Sequence, residues 1–117
     1  MPKPLSVNEA KMIQRHRYIL KKLSKSNLKT RKAILRNAPS TLFTVLGTIF
    51  KLVEDNRLNL ADKHKSKIKK HQKIIRSTSR LDNKAIKTKL VRQNGGSLKQ
   101  ILSTVLPILG TILKTFI

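Results

Sequence analysis

Eight cations fall within eighteen residues, at Lys63, Lys65, Lys67, Lys69, Lys70, Lys73, Arg76 and Arg80. Wound at 3.6 residues per turn, they spread around a helix rather than along one face, so phosphate oxygens can reach the segment from more than one side. That distribution suits packing between duplexes better than reading the base edges of a single groove. Smaller clusters repeat the chemistry at Lys21 and Lys22, at Lys32 and Arg36, and at Lys87 and Lys89. Together with Lys67, Lys69, Lys70, Lys73 and Arg76, these are the expected phosphate contacts.

Other reactive side chains form no such pattern. His64 and His71 are seven apart and share a helix face, but their neighbours are lysines, which repel a cation, and zinc requires three or four ligands. Glu54 and Asp55 are adjacent in sequence, with no nucleophile or general base at a matching spacing. No phosphate-cradling glycine loop or nucleophile elbow occurs. With no cysteine there is no disulfide framework and no thiolate metal site. The expectation is a protein that is not an enzyme, with no catalytic residue, no metal and no cofactor.

Charge dominates the composition. The 117 residues carry 27 Lys and Arg against five acidic residues, Glu9, Glu54, Asp55, Asp62 and Asp82, for a formal charge of +22. Repulsion on that scale opposes compaction, so the basic part is expected to be poorly ordered until a polyanion neutralises it. Sequence-specific readout has little support: zinc-finger spacing and sustained heptads are missing, and Tyr18, Phe43, Phe50 and Phe116 are scattered rather than grouped as a stacking platform. Contacts to the phosphate backbone should therefore dominate. Met1 to Leu5 is followed by basic amphipathic sequence rather than an apolar run, so a secretory leader is not expected.

The elements that must position these cations are helical. The spacing predicts an all-α protein of five or six short, loosely packed helices, with no convincing strand. Residues 1–38 form basic N-terminal helices, 39–60 an apolar helix and connection, 61–94 further basic helices, and 95–117 a Gly-Gly break and an amphipathic C-terminal helix. Ser6 and Glu9 have the spacing of a reciprocal cap, predicting one helix from there to about Lys25. Asn27 restarts a second, which Pro39 ends. Leu42, Phe43, Val45, Leu46, Ile49, Phe50 and Val53 make the third segment the principal core candidate. Residues 61–77 and 83–93 read as the two charged helices that follow.

After Gly95-Gly96 the composition inverts. Leu98, Ile101, Leu102, Val105, Leu109, Ile112, Leu113 and Phe116 form one broad apolar face, opposite Lys99, Gln100, Ser103, Thr104 and Thr111. Only 14 uncharged residues separate Lys99 from Lys114, too few for the roughly 20 of a spanning helix. The face has two uses open to it, folding back on residues 41–53, or docking on a membrane surface or a capsid protein. Pro107 and Gly110 predict a bent or two-part helix.

Three stretches carry a family resemblance: Arg31-Lys32-Ala33-Ile34-Leu35-Arg36-Asn37-Ala38, Lys69-Lys70-His71-Gln72-Lys73-Ile74-Ile75-Arg76, and Gln93-Asn94-Gly95-Gly96 followed by apolar sequence. From about Asn27 to Ile117 the chain resembles the small basic virion proteins of Polinton or Maverick elements and adintoviruses, which in turn resemble the precursor of adenovirus core protein X, or mu. The resemblance implies a DNA-associated virion protein, present in the host nucleus during assembly. It also implies cleavage by a viral cysteine protease at Gly95-Gly96, although Gln93 stands where that protease family favours Met, Ile or Leu.

The expected activity is thus binding and condensation of nucleic acid, DNA favoured over RNA. A membrane-active protein working through its C-terminal helix is the alternative, and a ribosome-associated or nucleolar RNA-binding protein a weaker one.

Overall fold

The computed structural model of the chain describes residues 5–58, 60–92 and 96–114. The described residues form eight helices and no strand: α1 (Val7–Arg15), α2 (Arg17–Lys25), α3 (Leu28–Asn37), α4 (Ser40–Glu54), α5 (Asp62–Lys69), α6 (Gln72–Ser79), α7 (Asn83–Arg92) and α8 (Gly96–Leu113). The all-α expectation holds, but the expected five or six helices become eight because two of them break. The first break is at His16, whose ring nitrogen Nδ1 lies 2.9 Å from the Met12 carbonyl at the end of α1. It lets α1 turn Ala10 and Ile13 toward α4 while α2 turns Leu20 and Leu23 toward α8. The second break, at Lys70 and His71, separates α5, which packs on α8, from α6, which packs on α4. In both places one straight helix would have to serve two differently oriented neighbours.

Local caps follow the sequence closely. Ser6 Oγ accepts from the Glu9 amide at 3.1 Å, and the Glu9 carboxylate accepts from the Ser6 amide at 3.0 Å. Asn27 caps α3 by accepting from the Thr30 amide. At the end of α4, Asn56 adopts φ 55°, the left-handed conformation that Asn tolerates better than most residues. The Asn56 and Arg57 amides then donate to Val53 and Leu52 carbonyls, closing the helix in a Schellman motif.

That reversal has a long-range result. It delivers Arg57 to Glu9, 48 residues away, where two guanidinium N–H groups meet the two carboxylate oxygens at 3.1 and 2.6 Å. Partial burial raises the Glu9 pKa, but the hydrogen bonds from Arg57 and Ser6 outweigh it and hold the carboxyl below its ordinary value of 4.5. Depression means that the unfolded chain takes up this proton first. The pair's contribution is therefore complete above the ordinary carboxylate range and is lost as pH falls through the folded-state value. Thermal melts at pH 7 and pH 3 should show a smaller acid-induced loss for Glu9→Gln than for the parent chain. An identical loss in the two proteins would remove Glu9 as a contributor.

α4 is the centre. Its Leu42, Phe43, Val45, Leu46, Ile49, Phe50 and Leu52 are buried, and α6, α7 and α1 pack around it. Gly47 faces α7 so closely that an added Cβ would lie 3.0 Å from Cδ1 of Ile86. That atom ends a flexible side chain, so Gly47→Ala should be near neutral, the helix-propensity gain of about 1 kcal/mol offsetting the squeeze. Gly47→Val adds branches that have no such relief and should cost about 1–3 kcal/mol in chemical denaturation. Equal stability of the two variants would show that α7 can move away.

The basic helices are not loosely attached, as charge alone had suggested. The Cα radius of gyration is 13.1 Å, near the roughly 13 Å of a compact chain of this length. Each charged helix brings one or two apolar anchors to a common core: Leu35 from α3, Ile68 from α5, Ile75 from α6, Ile86 and Leu90 from α7. Burying one such side chain contributes roughly 1.5–3 kcal/mol, while the ammonium groups stay in water. Compaction thus separates apolar from charged atoms without burying unpaired charge.

α8 closes the core, packing on α2 and α5 rather than chiefly on residues 41–53. Leu98, Ile101, Leu102, Val105, Leu109 and Leu113 are buried and Ile112 is half-buried; Phe116 lies outside the described residues. Of the bent or two-part helix expected from Pro107, the two-part form is not what is seen: α8 is one helical element through that residue, which sits on its exposed side.

Candidate nucleic-acid interface

A continuous cationic surface is built from α6 and α7. Packing of Ile75 and Thr78 toward α4 turns Lys73, Arg76 and Ser77 outward, and Arg80 follows at the C-cap. Gln72, Lys73, Arg76, Ser77 and Arg80 line an open depression of about 430 Å³. On α7, burial of Ile86 and Leu90 leaves Lys84, Ala85, Thr88, Lys89 and Arg92, with Asp82 at the helix start, around a second depression of about 690 Å³. Lys89 Nζ donates to Ser77 Oγ, so the two depressions adjoin.

Glu54 sets this surface from below. Its carboxylate accepts a hydrogen bond from the Ser79 hydroxyl, with Arg76 Nε at 3.9 Å and Arg80 Nη2 at 3.8 Å. The arginine side chains remain 57% and 74% exposed, and at these separations neither is closely bonded to the carboxylate, so both remain available to an incoming anion. Lys87 is partly covered, its ammonium 5.8 Å from the centre of the Phe43 ring.

The remaining expected contacts lie on other helices. Lys67, Lys69 and Lys70 are exposed on and just after α5, Lys21 and Lys22 on α2, and Arg36 on α3; Lys32 is half-buried. Of the eleven, the structure brings Lys73, Arg76 and Lys89 together. Lys69 borders this surface across a depression that it shares with Gln72 and Arg76, Lys87 lies on α7 itself, and the rest are spread over or beside α2, α3 and α5. Arg80, named in the basic run but not among the eleven expected contacts, joins the α6–α7 surface, as do Lys84 and Arg92, which sequence reasoning missed although their positions near helix ends, next to anchored apolar residues, were a readable signal. Arg31, by contrast, turns inward, 7% exposed, and donates to the Ser26 carbonyl at 2.8 Å.

The acidic residues are largely occupied with structure. Glu9 holds Arg57, and Glu54 holds α6. Asp82 caps α7 by accepting from the Ala85 amide at 2.8 Å, and Asp62 lies in the first turn of α5, where the helix dipole favours a negative charge. The histidines serve as joints: His71 Nε2 lies 2.7 Å from Gln100 Oε1 of α8, and His64 sits beside α8 with Ser103 and Thr104. Among the described residues, no three His, Asp or Glu side chains come together in a way that could hold a metal ion, and no helix is long and apolar enough to cross a membrane.

The apolar face expected to meet a membrane or partner is used internally, since most of its residues are core. Of the expected cleavage site, Gly95 lies outside the described residues, and Gly96 opens α8. No family model matches the chain, and no curated protein or solved structure is similar enough to count as a match.

Proposed function

We propose that the protein binds double-stranded nucleic acid, DNA in preference to RNA, through phosphate contacts, and condenses it. The observation that carries this reading is the arrangement of charge around a compact core. Lysines and arginines point outward from α2, α3, α5, α6 and α7, while Glu9, Glu54 and Asp82 are engaged in holding the fold. The chain carries a formal net charge of +22, most of the lysines and arginines of these helices are exposed, and phosphate is the counter-charge they fit. Because the cations sit on several helices, one molecule bound to a duplex through α6 and α7 still presents others, which is the requirement for drawing duplexes together. The resemblance to small basic virion proteins points the same way, and would imply that this activity takes place inside a virus-like particle assembled in a host nucleus, with capsid protein and a cysteine protease as further partners. The membrane-active alternative ranks lower because α8 buries the face it would use.

The test is a titration of fluorescent duplex DNA with the intact chain, followed by anisotropy, with light scattering in parallel. Expected are tight binding at low salt with no dependence on base sequence, then scattering as charge neutrality is approached. Lys73→Glu combined with Arg76→Glu should weaken binding while leaving helicity unchanged. Failure to bind DNA in dilute buffer overturns the reading.

A further inference from the structure

α2 carries a second cationic face, on a helix that packs against α8 while α6 and α7 pack against α4. Leu20, Leu23 and Ser24 are the buried side of α2, which turns Tyr18, Lys21, Lys22 and Lys25 outward. These four stand at i, i+3, i+4 and i+7, so they form one exposed row about 10 Å long at 1.5 Å per residue. Arg17, also exposed, stands at its shoulder.

Tyr18 is the member that the fold does not account for. It is 82% exposed, whereas Phe43 and Phe50 are buried in the core. A ring left in water forgoes the stabilisation that burial would give it, and α2 is already anchored by its leucines. The ring is free for a ligand.

Charge and ring together select that ligand. The lysines attract a chain of phosphates, and the ring beside them offers a flat π-face on which a base can stack. In a duplex each base face is already covered by its neighbours, so the ring adds nothing there to what the lysines supply. In a single strand a base can turn out of the chain and lie on it. A bilayer fits less well, because the rest of the row is charged and no apolar band accompanies the ring into the acyl layer.

We infer that this face of α2 binds single-stranded nucleic acid, with one unpaired base stacked on Tyr18 and adjoining phosphates on Lys21, Lys22 and Lys25. The inference rests on the proposed phosphate binding and adds to it a second site, a strand state and a base contact.

The experiment titrates labelled oligo(dT), and separately a labelled duplex of the same length, with the intact chain and follows anisotropy at one salt concentration. Tyr18→Ala should weaken oligo(dT) binding by about 5- to 150-fold, the range for losing one stacked base, and duplex binding by less than about twofold, with helicity unchanged. Lys21→Glu with Lys25→Glu should weaken oligo(dT) binding by about tenfold or more. Tyr18→Trp should keep the affinity. Its tryptophan, the only one in that variant, should be quenched saturably by unlabelled oligo(dT). If Tyr18→Ala leaves oligo(dT) binding unchanged while the duplex still binds, the α2 site is overturned and the duplex reading stands; if the parent chain binds neither DNA, both fall. Equal losses on the two DNAs overturn the single-strand assignment. A blue shift of the variant's tryptophan on phosphatidylserine vesicles, without quenching by oligo(dT), makes the ring a membrane contact and overturns it too.

Discussion

Phe50→Ala should lower the unfolding free energy by about 3–5 kcal/mol, because Phe50 is fully buried on the helix around which the others are packed. A domain of this size holds roughly 5–15 kcal/mol in total, and here the self-repulsion of +22 already draws on it. The melting temperature should therefore fall by roughly 10–30 °C, followed by circular dichroism at fixed ionic strength. Salt should raise the melting temperatures of parent and variant alike by screening the surface charge, leaving the difference between them. A shift of only a few degrees would mean that α4 does not organise the core.

Raising salt from about 50 to about 200 mM should weaken duplex DNA binding by about 10³–10⁵-fold. Phosphate contacts release condensed counterions, so about ten of them give a log–log slope near −9. Ten is consistent with exposed cations on five helices. Substituting alanine at Lys73, Arg76 and Arg80 removes three and should flatten the slope by about 3, with the same change on every DNA sequence. A slope that stays flat across this range, or a loss confined to one sequence, would contradict backbone recognition.

Legibility in the sequence tracked distance along the chain. The caps at Ser6 and Asn27, the stop at Pro39 and the apolar band of α4 depend on neighbours within a turn or two, and each was readable. Where α1 gives way to α2 was not, because His16 breaks the helix in order to face two partners that lie far away in sequence. The same holds for Lys70 and His71. Composition understated how closely the basic helices pack, since Ile68, Ile75, Ile86 and Leu90 are few in number but each is buried. At the interface, the cations of α6 were visible as a run, whereas their grouping with Lys89 and their support by Glu54 depend on contacts across 12 to 25 residues.

The seating of α8 bears on what a protease would accomplish at Gly96. Severing the backbone there removes one covalent link but leaves Leu98, Ile101, Leu102, Val105, Leu109 and Leu113 engaged with the rest of the molecule. The product would be a non-covalent heterodimer of two fragments, holding its shape like a split reporter. Its halves would separate only when something extracts the shorter one, so that scission alone would change the covalent structure and not the shape.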